Sequence, residues 1–134
     1  MKVCIVGTGY VGLTTGACLA FLGHDVTCID TDATKIESLR TGKVPIYEPY
    51  LEDLLAEARE HLHFTTDYAE GVPGAEVVFI AVGTPSSPDG APDLQYVRAA
   101  ADSIGTHLGS GFTVVVNKST VPIGSGNWVD SLVR

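Results

Sequence analysis

The chain has 134 residues, with 8 Lys and Arg against 16 Asp and Glu, for a formal net charge of −8. That length suits one domain, and a hydrophobic share of 45% excludes intrinsic disorder. The acidic balance argues against nucleic acid or an anionic membrane as partner, and no apolar run approaches the roughly 18 residues of a membrane span.

The N-terminus has too short an apolar stretch, Val3-Cys4-Ile5-Val6, for a signal peptide and reads as a strand, Lys2 to Val6. Tyr10 to Leu22 is small and apolar and stops at Gly23, the pattern of a buried helix with a glycine at its end. Asp25 to Ile29 is the second strand. Asp32 or Thr31 caps a helix that runs to about Thr41. Gly42 to Pro49 is a turn-rich connector. Leu51, Leu54, Leu55, Ala58 and Leu62 then repeat at helical spacing and predict an amphipathic helix. A third strand is expected over His63 to Thr66, followed by a short helical turn capped by Asp67. Glu76 to Val82 is nearly all apolar, as suits a strand buried on both faces of a parallel sheet. Asp93 is expected to cap a helix whose apolar face carries Leu94, Val97, Ala101, Ile104 and Leu108. Phe112 to Val116 is the fifth strand, and Asn127 to Val133 begins a last helix. Strands alternating with helices imply an α/β fold, a doubly wound parallel sheet of order 3-2-1-4-5 with its switch point between strands 1 and 4.

The three cysteines are Cys4, Cys18 and Cys28. Their odd number and the lack of a C-x-x-C pair make a poor disulfide framework, and they read as reduced, mostly buried thiols of a cytoplasmic protein. His24, His61, His63 and His107 form no ligand cluster with them, so no metal site is expected.

Gly7-Thr8-Gly9-Tyr10-Val11-Gly12 is a G-x-G-x-x-G turn. By itself the pattern is weak, but here it follows a strand and opens a helix, the context in which it binds a dinucleotide. Gly7 makes the tight turn, Gly9 lets backbone approach a pyrophosphate, and Gly12 lets helix pack on strand. The helix N-terminus offers N–H groups and a partial positive charge, which explains how an acidic chain can hold an anion. Asp30 ends the second strand, 18 residues beyond Gly12. A carboxylate there accepts hydrogen bonds from the adenosine ribose and repels a 2′-phosphate, which favours NAD over NADP. The competing reading makes Asp30 a helix cap and the glycines packing residues.

Two further segments, Val82-Gly83-Thr84-Pro85 and Lys118-Ser119-Thr120-Val121-Pro122, fall at the ends of strands 4 and 5. Ligands of open parallel sheets bind outside those ends. The hydroxyls of Thr84, Ser119 and Thr120 either face that crevice or cap helices and form turns, and the residues alone leave both readings open. No Ser-His-Asp or Cys-His arrangement is visible.

The chain resembles the N-terminal NAD-binding domain of the UDP-glucose/GDP-mannose dehydrogenase family. The segments that carry the likeness are Gly7 to Leu13, Asp30 with Lys35, Pro45-Ile46-Tyr47-Glu48-Pro49, Phe79 to Pro85 with Asp89-Gly90 and Asp93 to Val97, and Lys118 to Gly124. The resemblance implies that Tyr10, Val11 and the glycine loop contact the pyrophosphate and that Asp30 and Lys35 hold the ribose. It further implies that Val82, Gly83, Thr84, Pro85 and Ser119 line the cofactor crevice, with Thr120 near the reacting centre, placing a catalytic water. It implies NAD-dependent oxidation of C6 of a nucleotide sugar from alcohol to acid, through a covalent cysteine thioester. UDP-glucose leads as substrate. GDP-mannose, a UDP-N-acetylhexosamine, and a non-enzymatic NAD-sensing module are the alternatives. The family's nucleophilic cysteine, its sugar-nucleotide domain and its dimerisation helix lie further along. Residues 1–134 are therefore expected to be the cofactor half of a homodimeric enzyme, cut before the last strand and unable to turn over alone. One departure stands out: Tyr50 follows Glu48-Pro49 where the family usually has glycine, so that loop is expected to bend differently.

Overall fold

A computed structural model of the chain describes residues 1–42, 50–83, 88, 94–109, 111–118 and 125–133, without the side chains of 125–128. Its elements in chain order are β1 (Lys2–Val6), α1 (Tyr10–Phe21), β2 (Asp25–Ile29), α2 (Ala33–Arg40) and α3 (Leu51–Ala58). A 3-10 turn (Arg59–His61) follows, then β3 (Leu62–Thr65), α4 (Tyr68–Gly71), β4 (Val77–Ile80), α5 (Gln95–His107), β5 (Val114–Asn117) and α6 (Ser125–Val133). The strands form one parallel sheet in the order β3-β2-β1-β4-β5, as the alternation of elements predicts.

Side chains alternate across each strand, and the core divides accordingly. From β1, Cys4 and Val6 face a layer with Val78 and Ile80 of β4 and Val97, Ala101 and Ile104 of α5. Val3 and Ile5 face the other way, with Val26 and Cys28 of β2, Ala20 of α1 and Ala58 of α3. The central strand is thus covered on both faces, which a parallel sheet requires.

Helix ends follow their local chemistry. Asp32 caps α2 by accepting from the Lys35 N–H at 3.1 Å, and Asp67 caps α4 by accepting from the Ala69 N–H at 2.9 Å. After α1, the Gly23 N–H donates to the Ala20 carbonyl and the His24 N–H to the Leu19 carbonyl. Gly23 takes the left-handed conformation this paired stop demands, with φ 98°.

Several boundaries differ from the sequence expectation. The helix through Leu51 ends at Ala58, and Leu62 opens β3 as a core residue instead of closing the helical stripe. A side chain at helical spacing can equally be the first inward residue of a strand. β4 is shorter than Glu76 to Val82: its pairing with β1 runs from Val77 to Ile80, although the Ala81 N–H still donates to the Val6 carbonyl at 2.8 Å. β5 begins at Val114, where its N–H first reaches the Glu76 carbonyl, and Phe112 before it is 88% exposed. Cys18 is exposed on α1, whereas Cys4 and Cys28 are buried. The cap position of α5 is Leu94. Asp93, like Pro45–Pro49 and Lys118's successors up to Gly124, lies outside the described residues.

Tyr50, at the start of α3, has φ 70° and ψ −11°. This left-handed conformation is natural to glycine and costly for a residue with a Cβ. The tyrosine thus holds a conformation that glycine adopts without strain.

Candidate functional site

β1 lies between β2 and β4, so the segments leaving these three strands emerge side by side. Gly7 leaves β1 with φ 105°, and its N–H donates to the Ile29 carbonyl at 2.7 Å. A Cβ at position 7 would stand 2.5 Å from the Ala81 carbonyl oxygen, and one at Gly12 would overlap the Gly7 carbonyl oxygen. Both glycines are therefore required by backbone packed against backbone. Gly9 is different: a Cβ there would meet nothing within 4 Å. Its surroundings are open, as a turn that admits a ligand needs to be.

Gly9 also occupies the cap position of α1 and supplies no side-chain cap, and the first turn carries no acidic residue. The leading N–H groups of α1 are thus left to an external acceptor, and the helix dipole favours an anionic one. Tyr10 and Val11 begin the helix and are half-exposed.

Asp30 stands at the carboxyl end of β2. Its Oδ2 accepts from the Thr8 hydroxyl at 2.6 Å and from the Thr8 N–H at 3.0 Å, and its Oδ1 accepts from the Asp32 N–H at 3.0 Å. The Lys35 ammonium lies 3.8 Å from Oδ2. Burial pushes the carboxyl up, but the Thr8 hydroxyl, the Asp32 and Thr8 N–H groups and the Lys35 charge outweigh it and hold Asp30 below its ordinary value.

These groups border a cleft of about 370 Å³. Gly7, Gly9, Asp30, Lys35, Val82 and Gly83 line it, as the sequence nominated them. Tyr10, Val11 and Gly12 lie in the first turn of α1, outside its lining. Thr84, Pro85, Ser119 and Thr120 lie outside the described residues. The remaining lining is Val6, Ile29, Thr31 and Ala81 at the strand ends, together with Thr8, Tyr68, Tyr96, Ala99 and Ala100, none of which the sequence reading nominated. Tyr68 follows β3, and its position just past a strand's carboxyl end was the available signal. Burial pushes its hydroxyl up to about 12, helped by Cys4 and Asp30 and opposed by a hydrogen bond to Ser103, so it stays a neutral wall residue. A larger cavity of about 490 Å³ lies against α2, α3 and β3, and none of the nominated residues lines it.

An open cradle at Gly9, an uncapped helix N-terminus and a ribose-side carboxylate fit a dinucleotide, so fold and cleft define a dinucleotide-binding domain of the Rossmann type. Residues 1–134 match the NAD binding domain of the UDP-glucose/GDP-mannose dehydrogenase family, and the chain belongs to that family. It is 49% identical to UDP-glucose 6-dehydrogenase TuaD of Bacillus subtilis, over 99% of this chain and 29% of that protein. It is 52% identical to UDP-glucose 6-dehydrogenase of Rhizobium meliloti, over 100% of this chain and 31% of that protein. Among solved structures, GDP-mannose dehydrogenase of Pseudomonas aeruginosa superposes with a TM-score of 0.93 at 40% identity, over 99% of this chain and 32% of that one. A UDP-glucose dehydrogenase from Pyrobaculum islandicum gives 0.91 at 40% identity, over 98% and 32%. The chain thus spans under a third of the length of these relatives. Among the described residues, no helix is long and apolar enough to cross a membrane.

Proposed function

We propose that this chain supplies the NAD site of an enzyme that oxidises UDP-glucose to UDP-glucuronate at C6, consuming two NAD. The observation that carries the reading is the Asp30 carboxylate, held ionised beside the open Gly9 turn at the carboxyl ends of β1 and β2. The choice of UDP-glucose is supported by the relatives at 49% and 52% identity. The TM-score of 0.93 to a GDP-mannose dehydrogenase makes GDP-mannose the second reading, since the fold of this domain serves either sugar.

In this reading bound NAD supplies the hydride acceptor. The chain's own residues bind and orient it. The N–H groups that open α1 hold the pyrophosphate, and Gly9 keeps the approach clear. Asp30 accepts from the adenosine ribose, with Lys35 beside it. Val82 and Gly83 line the crevice, and this reading also assigns Thr84, Pro85 and Ser119 to cofactor binding. Thr120 positions the water that releases the acid. None of the three cysteines lines the cleft, exposed Cys18 included, so this reading draws the thioester cysteine from outside residues 1–134. Cys4 and Cys28 are buried in strands with burial pushing both thiols up, Cys4 to about 12, which is the reverse of an activated nucleophile. A cytoplasmic homodimer, with the sugar bound by a further domain, belongs to the same reading.

Calorimetric titration of the chain with NAD, NADP and UDP-glucose tests it. NAD binding, much weaker NADP binding and no UDP-glucose binding are expected. A folded chain that takes up no NAD would refute the cofactor reading.

A further inference from the structure

We propose that Thr8 is a positioning residue for the cofactor. Its hydroxyl and N–H lock the Asp30 carboxylate to the glycine turn in one orientation, and so set the preference for a ribose 2′-hydroxyl over a 2′-phosphate. This inference rests on the NAD reading above and assigns a role to the residue between Gly7 and Gly9.

Thr8 is fully buried. A buried hydroxyl must find a partner, and this one donates to Asp30 Oδ2 at 2.6 Å, across 22 positions of sequence. The Thr8 N–H donates to the same oxygen at 3.0 Å. With the Asp32 N–H on Oδ1, three donors fix the plane of the carboxylate. A carboxylate offers about four acceptor positions. Those on Oδ2 are taken by Thr8, and Oδ1 keeps one to present to a ribose hydroxyl. The turn that receives the pyrophosphate and the acid that receives the ribose are thereby one rigid unit.

Among the described residues, Asp32 follows Asp30 in the chain and turns its N–H to Oδ1. Lys35 approaches from α2, 3.8 Å from Oδ2, and Tyr68 of α4 and Tyr96 of α5 share the cleft wall. Without the Thr8 hydroxyl, the carboxylate is freer to turn toward Lys35 and easier to protonate. Either change weakens its grip on ribose and its repulsion of a 2′-phosphate. Burial alone would raise Asp30, and the Thr8 hydroxyl is the first of the contacts that reverse the shift.

The test compares Thr8→Val, which keeps the shape and removes the hydroxyl, with Thr8→Ser, which keeps the hydroxyl. The Asp30 carboxyl is titrated by 13C NMR in the chain without cofactor, and NAD and NADP binding are measured by calorimetry. Thr8→Val is expected to raise the Asp30 midpoint, to weaken NAD roughly tenfold (the size of one hydrogen bond to a charged group) and to narrow the gap between NAD and NADP. Thr8→Ser is expected to titrate and discriminate like the parent. An unchanged Asp30 midpoint in Thr8→Val, or an equal loss in Thr8→Ser, would overturn the proposal. Should Thr8→Val not fold, the parent still decides it. A Thr8 hydroxyl proton protected from exchange, and released as Asp30 protonates, supports the lock, and one that exchanges freely at neutral pH refutes it. A parent that binds neither cofactor would sink the NAD reading, while the Asp30 titration would still decide the Thr8 lock.

Discussion

Tyr50→Gly is expected to stabilise the protein, although it deletes an aromatic side chain. A residue with a Cβ loses about 1–2 kcal/mol in the left-handed region that Tyr50 occupies, relative to glycine. Glycine gives back about 0.4–1 kcal/mol through the greater freedom of its unfolded chain. The side chain itself contributes little, because Tyr50 is 83% exposed. The balance is a gain of about 0.5–1 kcal/mol, which corresponds to a rise in Tm of roughly 2–4 °C for a chain of this size. Urea unfolding followed by circular dichroism measures it, with a higher midpoint at unchanged slope as the signature. Tyr50→Ala is the control: it removes the same ring and keeps the Cβ, so it should show no gain. If glycine proves no more stable than alanine at position 50, backbone strain there is not the cause. NAD affinity should be the same in all three proteins, since Tyr50 does not line the cleft.

Gly12→Ala is expected to lose at least about 1–3 kcal/mol in the same assay, because the added methyl overlaps the Gly7 carbonyl oxygen and backbone must shift to admit it. The pH dependence of stability should show the hold on Asp30. Its folded pKa lies below the ordinary value of 3.8, so the stabilisation is complete above that pH and is lost as pH falls through the folded value. Asp30→Asn should therefore flatten the acid limb of the stability curve below about pH 4, and an unchanged limb would contradict the hydrogen-bond assignment. A thiol reagent at neutral pH should modify Cys18 in the native protein and leave Cys4 and Cys28 untouched until denaturant is added. Labelling of all three at one rate would mean that the central strands open freely.

The sheet order was legible in the sequence because strand and helix periods alternate so regularly, and β1 and β2 fall on their expected residues. What the sequence blurred were the ends. Leu62 satisfies the helical repeat and the strand start alike, and only the pairing of Val26 with Leu62 decides between them. Phe112 has high strand propensity, yet the first ladder hydrogen bond to β4 begins two residues later. At the site, the glycines and Asp30 were readable because each follows from a local demand: a turn, a close approach, or an acid at a strand's end. Thr8 was not, because its role depends on a partner 22 positions away, and Tyr68 offered only its place just past β3, since its partners Asp30 and Ser103 are more distant still.

The order in which the strands are made bears on how the protein comes into being. β1 leaves the ribosome before both of its neighbours and takes the centre of the sheet, but one of those neighbours is β4. The bond from the Lys2 N–H to the Glu76 carboxylate spans 74 positions. At roughly 5–20 residues per second, the founding strand waits on the order of 4–15 s for that neighbour. Its apolar face is meanwhile available to any passing chain, and pairings this distant make for slow folding. The cleft draws on the segments after β1, β2, β3 and β4 and on α5, so it does not exist in any partial product. A nucleotide held there would recognise only the finished sheet and would draw the folding equilibrium toward it by mass action. Cellular NAD would then serve this domain as a chaperone of its final step.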